Sequence, residues 1–119
     1  MLLVHHDEDS FRQRPEAERQ SMLQESVLLA QQLYASGHYL GAAPLHPSSE
    51  TACVCVRDGK SVVVDGPFAE TREQIGGYFL VEARNIEEAI EIAERIPGAR
   101  IGTVEVRRVS EVAGLPEVQ

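Results

Sequence analysis

A carboxylate at the end of an apolar run is the first place where this chain could do chemistry. Ser61-Val62-Val63-Val64-Asp65 runs into Gly66-Pro67-Phe68, and an acidic stretch then leads to Gly76-Gly77. A carboxyl group closing a buried strand loses part of its hydration, which raises its pKa toward that of a general base. The competing role for Asp65 is structural, because an Asp before Gly-Pro caps the turn with its own side chain. Phe68 and Tyr78 could wall a pocket for a flat or apolar molecule, although core packing and turn anchoring account for Phe68 more simply. Glu70, Arg72 and Glu73 read as a solvated loop. Gly76-Gly77 marks a bulge or a close backbone approach where the next strand starts. Phosphate loops, zinc signatures and nucleophile elbows are missing from the sequence.

Composition narrows the function classes. The 119 residues suffice for one domain with a real core, and 43% hydrophobic and 25% charged content is ordinary for a globular protein. The formal net charge is -8, from 19 acids and 11 bases, with Lys60 the single lysine. Nucleic-acid binding needs a clustered basic face. Arg107-Arg108 is the nearest approach to one, and adjacent strand residues point to opposite sides. The opening MLLVHHDED is apolar for four residues and then acidic, so neither a signal peptide nor a membrane span is expected, and the expected location is cytoplasmic. Cys53 and Cys55 share a strand face, are poorly placed to bridge one another, and read as small buried apolar residues. A C-x-C pair alone makes no metal site.

The elements that position these residues can be taken in order. Met1–His5 reads as a short buried strand and His6–Ser10 as its exit loop. Pro15 opens a helix with Glu16 and Glu18 at its positive end, and Gly37 closes it. Met22, Leu23, Val27, Ala30, Leu33 and Tyr34 form its apolar stripe, with Ser26 inside it. Leu28 and Leu29 widen that face, so the helix is expected to touch more than one surface. Tyr39–Ala43 is a strand, stopped by Pro44 and Pro47. Ala52–Val56 and Ser61–Asp65 form a hairpin across Asp58-Gly59, whose turn needs positive φ twice. That register pairs Val56 with Ser61, Val54 with Val63 and Ala52 with Asp65. Their near-continuous apolar character predicts cover on both faces. Tyr78–Ala83 is the next strand. Asn85 caps a second helix with Glu88 at its third position, and Pro97-Gly98 ends it. Gly102–Val109 alternates as a half-buried strand, and 110–119 is a loose tail.

The stretch from Asp65 to Gly77, DGPFAETREQIGG, resembles the signature of YCII-related proteins of the DGPF type. The likeness extends from Met1 to about Val109, in pattern more than in motif outside that signature. It implies one domain over 1–119, built as a dimeric α/β barrel in which two sheets face each other. It also implies a His–Asp pair as the active site. Asp65 matches the Asp. The His belongs on the first helix, about three turns before its closing Gly, where this chain has Ser26 and no histidine from Phe11 to Gly37. His5, at the exit of the first strand, is then the best substitute, since His6 should point the other way. His38 and His46 lie on loops beside Tyr39 and Pro47 and read as structural or solvated. The likeness makes Glu73 a second acid at the mouth of a cleft.

The element order β-α-β-β-β-β-α-β gives an α+β domain: a ferredoxin-like sheet with two helices on one face and an extra hairpin. Two helices cannot cover both faces of such a sheet, so a homodimer through the open face is expected. The candidate catalytic residues are Asp65 and His5, with Ser26, Phe68, Glu73 and Tyr78 as ligand contacts and no metal or cofactor called for. Acid–base work on a small organic molecule, as in an enolisation, elimination or isomerisation, would suit them. The alternative is a non-catalytic ligand-binding or regulatory module, which the family likeness associates with sigma-factor systems. A third reading makes the signature loop a folding and interface device.

Overall fold

The computed structural model describes residues 1–67 and 71–117. Its elements are β1 (Leu2–His6), α1 (Glu8–Arg12), α2 (Glu16–Ala35), β2 (Tyr39–Pro44), β3 (Ala52–Arg57), β4 (Lys60–Asp65), β5 (Gln74–Val81), α3 (Ile86–Glu94) and β6 (Thr103–Val106), with short 3-10 turns at Ser48–Glu50 and Pro97–Arg100. Four strands form one antiparallel sheet in the order β2-β5-β1-β6. The first and last strands sit side by side, and β2 lies beyond β5, as in a split β-α-β arrangement. The domain is therefore α+β, compatible with the ferredoxin-like expectation.

Both long helices pack on one face of this sheet. The core is Leu2 and Phe79 from the strands, Leu29 and Leu33 from α2, and Ile92, Ala93 and Ile96 from α3 and its exit. Side chains alternate along a strand, so Leu2, Val4 and His6 share the helix side of β1, while Leu3 and His5 face the opposite, helix-free side. Asn85 caps α3 as expected, its side chain accepting from the Glu88 N–H at 2.9 Å. Only half of a capping box forms, because Glu88 turns to the Arg84 N–H and guanidinium instead of the Asn85 N–H.

Several features differ from the sequence expectations, among them the last strand, which spans only Thr103–Val106 of the expected Gly102–Val109. The exit loop after β1 is largely the short helix α1: the Asp7 side chain accepts from the Ser10 N–H at 3.1 Å, which starts a helix that periodicity is too short to announce. Strand β5 starts at Gln74, earlier than Tyr78, with Gly76-Gly77 inside it. The β3–β4 hairpin has the expected register, with Asp58 at φ 51° and Gly59 at φ 73°, but among the described residues neither face is fully covered. It forms a separate two-stranded sheet, and Val54, Val56, Val62, Val63 and Val64 are all exposed. Cys53 and Cys55 are half-buried free thiols rather than core residues.

Candidate functional site

A cavity of about 550 Å³ lies between α2 and the helix side of the sheet. Its geometry follows from how α2 divides its apolar surface. Leu29 and Leu33 go to the core, while Met22, Leu23, Ser26, Val27, Ala30 and Tyr34 form one wall of the cavity. That division explains why Leu23 and Val27 remain about half exposed on an apolar face. Val4, His6, Ala42, Gly76, Gly77 and Phe79 form the sheet wall, and Pro97, Gly98 and Ile101 close one side. The size suits a small organic molecule, and the lining is overwhelmingly apolar with a few polar groups.

His6 is the histidine that borders this space. Opposite Val4 and His5, β5 carries one extra residue: Val4 pairs with Gly77 and His5 with Ile75, so Gly76 is the bulge. A Cβ on Gly76 would stand 2.5 Å from the His6 ring, so the imidazole lies directly on glycine backbone. On α1, Phe11 stacks on the same ring, with centroids 4.8 Å apart and planes inclined by 17°. Burial pushes the His6 pKa below its usual value, against the opposing pull of Glu8, Asp7 and Glu73. A neutral imidazole in an apolar cavity can accept a proton from a bound molecule and return it.

The residues expected from sequence are distributed over three places. Ser26 lines the cavity; its Oγ–H donates to the Met22 carbonyl at 3.1 Å, leaving the oxygen lone pairs to accept. Tyr78 is half-buried and reaches the cavity edge, but its pairing with Leu3 puts its side chain on the helix-free face of the sheet. Glu73 stands near the His6 end, where its carboxylate accepts from Thr103 Oγ1 at 3.1 Å. His5 lies on the opposite face of the sheet, its Nε2 3.0 Å from Glu105 Oε1. Asp65 is exposed at the end of β4, paired in register with Ala52. It makes no hydrogen bond with His5, and it does not line the cavity. Phe68 lies outside the described residues.

Sequence reasoning missed His6, Arg19 and Phe11. Alternation would have sent His6 to the same side as Leu2 and Val4, but Leu3 is equally apolar, so MLLVHH does not say which side is the core. Arg19 lies one turn before Met22 on α2 and borders the cavity. Among the described residues, no group of three His, Cys, Asp or Glu side chains is placed to hold a metal ion. Among them, too, no helix is long and apolar enough to cross a membrane.

An uncharacterised protein of Rhizobium meliloti (strain 1021) is 36% identical over 80 residues, which is 65% of this chain and 64% of that protein. The chain thus aligns with somewhat less than two thirds of that relative's length. The model of the YCII-related domain matches residues 1–113, which spans every strand and helix described above, α1 and the exposed hairpin included. On that match, the chain belongs to the YCII-related domain family.

Proposed function

We propose that this YCII-related chain binds a small, largely apolar organic molecule in the cavity between α2 and the sheet, with His6 as its acid–base group. The observation that carries this reading is the joint placement of His6: seated on the Gly76 bulge, stacked by Phe11, and facing an apolar cavity of about 550 Å³. The chemistry such a site supports needs no cofactor. His6 takes a proton from an activated carbon or hydroxyl of the bound molecule and delivers it to another atom, which is an enolisation or isomerisation. A module that binds without turnover, as in a sigma-factor system, would use the same cavity.

The test separates binding from turnover. Small aromatic ketones and lactones are screened by NMR against the protein and against Ser26→Phe, which puts a ring into the cavity and narrows it. Molecules that bind the protein but not the variant are then held in D2O with the protein or with His6→Gln. Deuterium entering a carbon position with the protein and not with His6→Gln supports the acid–base role. Binding without any exchange leaves a binding module, and binding that Ser26→Phe does not weaken contradicts the site.

A second reading concerns Asp65 and a homodimer. The hairpin that carries Asp65 exposes five valines on its two faces, and an isolated two-stranded hairpin is marginal in water. The radius of gyration is 16.2 Å, against about 13–14 Å for a compact chain of this length. The hairpin therefore projects from the domain with apolar surface to cover. A second copy, meeting both the hairpin and the helix-free sheet face of Leu3, Ile75 and Leu80, would bury it and desolvate Asp65. In that assembly Asp65 would act as the acid or base.

A further inference from the structure

Resting on the cavity reading above, we infer that the bound molecule carries an anionic head on its apolar body, and that Arg19 receives that head. Arg19 borders the cavity on the same strip of α2 as Met22, Leu23 and Ser26, three, four and seven residues further on. Six other arginines of the chain are matched with carboxylates: Arg12 with Asp9, Arg14 with Glu18, Arg72 with Asp7, Arg84 with Glu88, Arg100 with Glu25 and Arg107 with Glu105. Arg19 has no carboxylate partner among the described residues; Arg57, Arg95 and Arg108 have none there either, but Arg19 alone of these four borders the cavity. Its Nε–H donates to the Arg14 carbonyl at 3.1 Å. That bond restrains the guanidinium and leaves its two terminal nitrogens without a hydrogen-bond partner among the described residues; such a free fork suits a carboxylate.

Helix stability does not account for the residue. Arg19 stands at the start of α2, where the helix field favours anions over cations. The neighbours of His6 sharpen the assignment. Asp7, Glu8 and Glu73 place negative charge around the imidazole, so His6 is poorly suited to hold an anion, and the head falls to Arg19. The apolar walls then select the body: a flat ring system or a short hydrocarbon, bearing a carboxylate or a comparable single anion.

The experiment uses three probes with one body. Binding of 2-naphthoate, 2-naphthylmethanol and 2-naphthylmethylamine is titrated by naphthyl fluorescence, which a chain without tryptophan leaves unobstructed. The same titrations are run on Arg19→Gln and Arg19→Lys, with thermal melting as a check that each variant folds. The inference predicts that naphthoate binds about 10-fold or more tightly than the alcohol, the range of a charge-assisted hydrogen bond. It predicts that the amine binds weakest, that Arg19→Gln removes the advantage of the acid and that Arg19→Lys keeps part of it. Equal binding of acid and alcohol, unchanged in Arg19→Gln, overturns the inference and leaves the cavity reading standing. If none of the three probes binds, both readings fall.

Discussion

His6 concentrates the account into one side chain. Burial lowers its pKa from about 6.5, so below pH 6.5 the unfolded chain takes up a proton that the folded chain resists. Stability should therefore fall as pH drops from 6.5 to the folded-state pKa and gain nothing above 6.5. His6→Gln should flatten that limb. An imidazole titration by NMR checks the direction, and a His6 pKa above 6.5 would refute it. At lower pH a separate loss is expected below about 4.5, as carboxylates held down in the folded state become protonated: Glu25 by Arg100, Glu88 chiefly by the Arg84 N–H, and Glu105 chiefly by His5. The glycine beneath the ring gives a sharper prediction. Gly76→Ala puts a methyl group 2.5 Å from the imidazole, so the ring must leave its stack on Phe11. The variant should lose about 1–3 kcal/mol, as overpacked sites do, and its His6 pKa should move back toward 6.5. An unchanged pKa would mean that the bulge does not seat the ring.

At the scale of elements, α3 tests the local rules and α2 the tertiary ones. Asn85→Ala should cost about 1 kcal/mol in chemical denaturation, because one N–H at the start of α3 loses its acceptor. Leu33→Ala, at a side chain 1% exposed on α2, should cost about 2–5 kcal/mol. Much of this level was legible in the residues. The Asn85 cap, the Asp58-Gly59 turn with its cross-strand register, and the closing Gly37 at φ 81° all follow from local chemistry that the sequence states directly. The Gly76-Gly77 pair was legible as a bulge or a close approach, and Gly76 is both. Other features were not legible, because they depend on partners far along the chain. Valine content in β3 and β4 says that these strands want cover, but not whether this chain supplies it. The run MLLVHH is apolar on both of its sides, so which histidine meets the cavity is decided by α2 and the β5 bulge. Ser26 could be placed on the apolar stripe of α2, while the cavity beside it exists only because Leu29 and Leu33 turn to the core.

For the molecule as a whole, apolar surface exceeds what one copy covers. The hairpin valines and the helix-free sheet face together predict self-association. Val54 and Val63 are cross-strand partners, 63% and 61% exposed, so Val54→Lys with Val63→Glu places an opposite-charge pair on one hairpin face without like-charge repulsion across the strands. Sedimentation should show a dimer for the unaltered chain and a folded monomer for the double variant, and the melting temperature of the unaltered chain, unlike that of the variant, should rise with protein concentration. A monomer in both cases would remove the assembly and, with it, the desolvation of Asp65. The central claim, that a small molecule occupies the space between α2 and the sheet, is tested most directly by backbone amide shifts during titration with 2-naphthoate and its alcohol. The account predicts saturable shifts at Ser26, Ala30, Gly76 and Gly77 for at least one of the two. Saturable shifts confined to the hairpin or to the Leu3 and His5 face, or none at all up to the solubility limit, would contradict it.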